Sequence, residues 1–221
     1  MKRITEEAKI KNGRGTGTGV DYKPWIKIRE LNSKGTASNI IDWKNGRQME
    51  LLSQAEVWWY YVLRWDDNVI DIREQYPLVL DATLAICDKY GFVHPANRKT
   101  RMTTDFLVDY CDGNRKAFSV KADRAVLDNP REVEKQFIEK EYWNKAGIPF
   151  QILYKEDLSR QYVMNIKDIV YCYDANRAAD DIGKLRYLIA HKKITIDLNT
   201  KLDYQALTKL YVKRIERWSD P

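Results

Sequence analysis

The sequence predicts an α/β fold, a mixed central sheet flanked by helices, with a small, mainly helical module at its C-terminal end. Three observations point there. Between Ser53 and Tyr154 the apolar periodicity reads helix, three strands, helix, strand, an alternation that packs as helices on a sheet. Asp112-Gly113, between two of those strands, is a hairpin signal. From Tyr171 onward helical patterning dominates. The 221 residues, 44% hydrophobic and including seven Trp, suffice for a buried core and for one domain plus a small appendage.

The first 48 residues are turn-rich. Gly13, Gly15, Gly17 and Gly19 alternate with Arg14, Thr16 and Thr18, but no strand precedes them and no Gly-Lys-Ser follows, so the spacing is not that of a nucleotide-phosphate loop. The stretch reads as a plain loop or as a flexible arm that lies along a DNA backbone, with Lys11, Arg14 and Lys23 as its phosphate contacts. Short strands are expected over Trp25–Leu31 and Asn39–Trp43, with Lys44–Gly46 as a turn.

Ser53 then opens an aromatic helix reaching about Trp65, and Glu56 three residues on completes a capping box whose carboxylate reaches back to the Ser53 amide. Val69–Tyr76 is a strand stopped by Pro77. A longer irregular stretch holds His94 and Pro95. Thr103–Tyr110 and Ala117–Lys121 form the hairpin. Asn129 and Pro130 start a helix over Arg131–Ala146 that stops at Gly147, and Phe150–Tyr154 is the next strand. The tail reads as helix Asp174–Ala190, strand Ile194–Leu198 and helix Asp203–Trp218.

Composition narrows the function classes. No apolar run approaches the roughly 18 residues of a membrane span, and Met1–Lys11 is charged where a signal peptide would be apolar; a cytoplasmic, nucleoid-associated protein is expected. Cys87, Cys111 and Cys172 are scattered and form no CxxC pair, which argues against a disulfide framework or a zinc site. His94 and His191 alone argue against a histidine-based metal site or triad. The net charge of +6 is unevenly spread: residues 1–49 hold 11 Lys/Arg against 5 acids and residues 171–221 hold 10 against 7, so the middle is acidic. Basic ends around an acidic centre suit a protein that grips phosphates and holds cations.

The chemistry is concentrated on the hairpin. Asp105 and Lys121 on neighbouring strands, with Glu56 on the preceding helix, are the layout of a metal-dependent phosphodiesterase, since Mg²⁺ needs few protein carboxylates and a lysine steadies developing phosphorane charge. Register tests this. A two-residue turn would pair Asp105 with Val120 and put Ser119 and Lys121 on the other face. A three-residue loop, Cys111-Asp112-Gly113 with Gly113 left-handed, pairs Asp105 with Ser119 and keeps Lys121 on the same face, Phe118 and Val120 turning to the opposite, helix-covered one. A plain cross-strand ion pair is the alternative, as is a purely capping Glu56.

Several ordered blocks resemble one family: GRGTGTGVDYKPW at Gly13–Trp25, LLSQAE at Leu51–Glu56, DIREQYP at Asp71–Pro77, His94-Pro95, TDFLVD at Thr104–Asp109, and Val120-Lys121. Together, across roughly residues 8–155, they are similar to TnsA, the endonuclease subunit of the heteromeric transposase of Tn-seven-like transposons. The resemblance implies a restriction-endonuclease-like fold of the PD-(D/E)xK nucleases, with a basic arm (1–48), a catalytic domain (49–170) and a helical or winged-helix-like module (171–221). It implies Glu56, Asp105 and the Val120 carbonyl as Mg²⁺ ligands, with Mn²⁺ able to substitute, and Lys121 as the catalytic lysine. Ser119 stands where the fold carries Glu or Asp and TnsA proteins often Gln, a departure that removes a charge and leaves open whether a second metal binds. Glu139 matches a helical acid of the family that assists the ligands without being one of them; an exposed helix carboxylate is the alternative reading. The implied reaction cuts transposon 5′ ends in double-stranded DNA, with a TnsB-like transposase and a TnsC-like AAA+ ATPase as partners. A non-catalytic DNA-binding or assembly subunit, or a stand-alone restriction or repair nuclease of the same fold, are the competing readings.

Overall fold

Strand order is set by where the chain can pair and where it must cross over. The computed structural model describes residues 4–30, 37–95 and 100–217, and the chain falls into two units, 1–41 with 47–157, and 42–46 with 158–221. In the first unit the elements run α1 (Glu6–Lys11), β1 (Ser38–Ile41), β2 (Gln48–Leu51), α2 (Gln54–Trp65), β3 (Val69–Pro77), α3 (Leu80–Tyr90), β4 (Thr103–Tyr110), β5 (Arg115–Lys121), α4 (Pro130–Lys145) and β6 (Phe150–Tyr154). β1 and β2 form an antiparallel pair; β3-β4-β5-β6 is a mixed four-stranded sheet, antiparallel except for β5 with β6. That parallel pair needs a long connection, and α4 supplies it.

The hairpin between β4 and β5 has the three-residue loop. Tyr110 N donates to Asn114 O, Gly113 takes φ +81°, and Phe106 faces Phe118 while Leu107 faces Ala117. This register continues to Asp105 opposite Ser119. Both faces of the sheet are covered, as a sheet flanked by helices requires. Leu107 and Ala117 pack with Leu78, Ile86, Cys87, Met102, Ile138 and Trp143 under α3 and α4, and α2 lies against β3 and β5. Asp105, Ser119 and Lys121 therefore sit at the end of the row that α3 and α4 cover.

Four expectations for this unit are corrected. The stretch holding His94 begins with a helix, α3: Leu80, Thr83, Leu84 and Cys87 follow helical spacing and Gly91, at φ +72°, ends it. His94 is buried against that helix, Nε2 meeting Thr83 Oγ1 at 2.9 Å. Trp25–Glu30 is not a strand. It runs beside the free edge of β3, where Trp25 N donates to Gln75 O, and closes in a 3-10 turn at Ile28–Glu30; Leu31 lies outside the described residues. The expected strand Asn39–Trp43 is shorter and earlier at Ser38–Ile41, because the Asp42 carboxylate turns the chain by accepting from Lys44 N and Asn45 N.

The fourth correction concerns the basic segment, which packs as part of the first unit. Gly15 N donates to Lys23 O, Gly19 N to Asp71 Oδ2 and Tyr22 Oη to Glu74 O. A side chain at Gly15 would stand 2.2 Å from the Pro77 ring, and Gly15 is left-handed at φ +74°, so only glycine fits. Arg14 is buried, its guanidinium shared between Trp25 O and Glu30. It is no phosphate contact in this arrangement. Lys11 and Lys23 are exposed.

The second unit holds α5 (Arg160–Val170), α6 (Asp181–Ala190), α7 (Tyr204–Leu210) and α8 (Val212–Glu216). The helical character holds, but the boundary expected at 170/171 lies earlier, since Ser159 caps α5 and its Val163, Ile166, Ile169 and Val170 stripe is buried. The helix expected over Asp174–Ala190 breaks at Ala178, because Asp174 and Asp180 each cap a separate turn. Ile194–Leu198 is not a strand: the Asn165 amide holds the carbonyls of Leu198 and Thr200. The last helix divides at Tyr211, and Trp218 lies outside the described residues.

Candidate active site

Glu56 is placed by the start of α2. Ser53 is extended at φ −143°, its hydroxyl accepts from Glu56 N, and the Glu56 carboxylate folds back. It does not reach the Ser53 amide as the capping box predicts. Oε2 instead accepts from Leu52 N at 2.9 Å, and Oε1 accepts from Ser53 Oγ at 2.8 Å. Glu56 as a residue is 5% exposed, and Gln75 Nε2 also donates to Oε2 at 3.1 Å.

Asp105 is placed by the hairpin register. Val120 N donates to its Oδ2 at 2.6 Å and Ser119 Oγ approaches the same atom at 3.4 Å. β5 thus aims and anchors the carboxylate through the two residues before Lys121. Lys121 Nζ lies 3.9 Å from Glu132 Oε2 at the start of α4, and Glu132 Oε1 holds Lys135 at 2.5 Å. Glu139, two turns further along the same face of α4, is buried and accepts from Thr104 Oγ1 at 3.0 Å, which in turn accepts from Trp143 Nε1 at 2.8 Å. Asp105, Ser119, Lys121, Glu132, Lys135 and Glu139 line one open cleft of about 260 Å³, with Arg101 at its rim.

The electrostatics have one dominant cause. Burial pushes Glu56, Asp105 and Glu139 above the ordinary carboxylate range, Glu139 to about 8. The Asp105 charge raises both glutamates further, while Lys121 pulls Asp105 and Glu139 back down. Buried like charges that repel one another are what a cation relieves. Among the described residues no group of three or more His, Cys, Asp and Glu could hold a metal ion, so an ion here would draw two protein carboxylates and take its other oxygens from backbone, water and substrate. Hard oxygen donors in that number fit Mg²⁺.

Sequence reasoning placed Glu56, Asp105, Ser119, Val120 and Lys121, and the structure brings them together. The bland alternative for Glu139, an exposed helix carboxylate, does not hold. Gln75 was missed. In the β3–β4 ladder Glu74 faces Phe106 and Tyr76 faces Thr104, which sets Gln75 across from Asp105. It is 2% exposed and left-handed at φ +50°, a conformation that strains a non-glycine residue by on the order of 1 kcal/mol. No pattern of residue types signals a left-handed Gln. The pair Glu132 and Lys135 was legible only as an exposed helix ion pair.

A mixed sheet with helices on both faces, two carboxylates and a lysine at one edge is a restriction-endonuclease-like arrangement. A family model described as TnsA-like endonuclease N terminal matches residues 66–155, which include Asp105, Ser119, Lys121 and Glu139. The transposition protein TnsA of transposon Tn7 from Escherichia coli is 38% identical over 162 residues, 72% of this chain. The match covers 59% of that relative, less than two thirds of its length. Over those residues the chain is similar to TnsA.

Proposed function

We propose that this chain is the endonuclease subunit of a transposition machinery and hydrolyses phosphodiester bonds at the 5′ ends of a transposon. The observation that carries the proposal is that Asp105 and Lys121 line one polar cleft while Asp105 lies near enough to the buried Glu56 for its charge to raise that carboxylate beyond what burial does. In this reading Glu56, Asp105 and the Val120 carbonyl hold Mg²⁺, or Mn²⁺ in its place. A bound divalent ion polarises the phosphate and lowers the pKa of water.

The residues of the chain supply the rest. The β5 backbone orients Asp105 through Val120 N, and Leu52 N and Ser53 orient Glu56. Lys121 Nζ presents protons to a non-bridging phosphate oxygen as charge builds there, and Glu132 keeps the ammonium pointed into the cleft. Water adds to phosphorus as the bond to O3′ breaks, leaving a 5′-phosphate and a 3′-hydroxyl that takes up a proton. Ser119 adds no charge, so a single ion is the occupancy that the donor set favours. Arg101, Lys121 and Lys135 give the cleft the cations for DNA phosphates, while Lys11 and Lys23 add exposed positive charge on the same unit. Recognition of the end sequence falls to a TnsB-like transposase and regulation to a TnsC-like ATPase, partners that the Tn7 relationship suggests. The test is strand-resolved cleavage of end-bearing duplex DNA, with the cognate transposase present, by the parent and by Lys121→Ala. Loss of 5′-end cleavage alone, with 3′-end processing intact, is expected; undiminished 5′ cutting would overturn the proposal and favour an assembly role.

A further inference from the structure

We infer that Gln75 is a positioning residue that pre-forms the cation site by tying Glu56 and Asp105 to one strand position. The inference rests on the reading of those two carboxylates as metal ligands. Gln75 belongs to β3, the edge strand, and stands across the ladder from Asp105. Its amide nitrogen donates to Glu56 Oε2 at 3.1 Å and its amide oxygen accepts from Thr103 Oγ1 at 3.3 Å. The same side chain lies near enough to Asp105 to favour its charged form. One side chain thus holds the carboxylate of α2 and stands across the ladder from that of β4.

The backbone explains why this position can do so. At φ +50° Gln75 departs from the extended conformation of its strand neighbours, and the departure is over-determined from outside the sheet. Trp25 N donates to Gln75 O, Tyr22 Oη to Glu74 O, and Arg47 locks Glu74 through a bidentate pair with both oxygens while also holding Ile72 O. Strain held in place by its surroundings at a cleft is a mark of function. Edge position supplies the opportunity, since among the described residues one side of β3 has no strand partner and the turned backbone is satisfied by the segment Tyr22–Trp25 instead.

The test separates holding the fold from holding the ligands. Gln75→Gly removes the amide and also the left-handed strain, so a merely structural role predicts a change in melting temperature with unaltered metal affinity. The positioning role predicts a melting temperature equal to or above that of the parent, Mn²⁺ binding at least ten-fold weaker in calorimetric titration with the metal alone, and a cleavage rate that rises back towards the parent's as Mn²⁺ is raised. Gln75→Asn tolerates the left-handed backbone but is one methylene short of Glu56, and the same loss is expected from it should the glycine variant fold poorly. Parent-like Mn²⁺ affinity in the folded variants overturns the inference while leaving the metal site intact. A parent protein that binds no Mn²⁺ overturns the metal reading itself.

Discussion

Gln75 stands across the β3–β4 ladder from Asp105 while its amide donates to Glu56 Oε2 over 3.1 Å. Two acids about fifty residues apart in the chain are therefore referred to one strand position, and Lys121 reaches the same place through Val120, whose amide grips Asp105. The site is a row across the sheet, Gln75 to Asp105 to Ser119, with the helix-borne Glu56 leaning on its first member.

Asp105→Asn is expected to abolish 5′-end cleavage and leave the metal-free protein as stable as the parent or more so. Asp105 is not the exposed strand-end group that its position suggests; burial raises it, and the amide keeps an oxygen for Val120 N while removing a charge that burial disfavours. Thermal melts in EDTA beside strand-resolved cleavage check both halves. A marked drop in melting temperature would show that the charged form is a structural anchor.

Glu56→Gln separates cap from ligand. The amide keeps one oxygen acceptor for the start of α2 but loses the charge, so the change in stability should be about 1 kcal/mol or less, whereas Mg²⁺-dependent cleavage collapses. Denaturant unfolding together with cleavage decides it. Reduced stability with intact cleavage would leave Glu56 as a cap alone.

The metal-free protein should lose stability as pH rises. Glu139 has an ordinary value of 4.5 and is pushed up to about 8 in the fold, first by burial and then by the Asp105 charge. The folded state binds that proton more tightly than the unfolded chain, so the contribution is complete below about 4.5 and disappears as pH passes through about 8. Melting temperatures of parent and Glu139→Gln in EDTA at pH 5.5 and pH 8.5 should show a smaller fall for the variant. Equal falls would mean that Glu139 carries no such linkage.

Duplex binding by the isolated chain should be weak, insensitive to sequence and steeply dependent on salt, because Arg101, Lys121 and Lys135 offer phosphate contacts and recognition of bases lies elsewhere. Cleavage should appear only when a cognate transposase and transposon-end DNA are added. Binding isotherms at two salt concentrations on end-bearing and scrambled duplexes test this; tight, sequence-selective cutting by the chain alone would point to a stand-alone nuclease.

What was legible in the sequence was local or register-bound. Gly113 after Cys111-Asp112 dictated the three-residue loop, and side-chain alternation then carried Asp105, Ser119 and Lys121 to one face without further information. Caps placed α2 and α4 because an N-cap is a contact between residues two or three apart. α3 and α5 were equally local, their apolar spacing and the caps at Gly91 and Ser159 being written in the chain. The burial of Glu139 beneath Thr104 and Trp143, the internal pairing of Arg14 with Glu30, and the left-handed turn of Gln75 beside Trp25 are different in kind. Each depends on partners brought up from a distance by packing, and a charged or amide side chain carries no pattern that says whether its partner will be water or another buried group. The sequence by itself determined which carboxylates and which lysine share an edge of the sheet; the tertiary structure alone decided how deeply they are buried, and so how strongly they repel one another and what holds them in place.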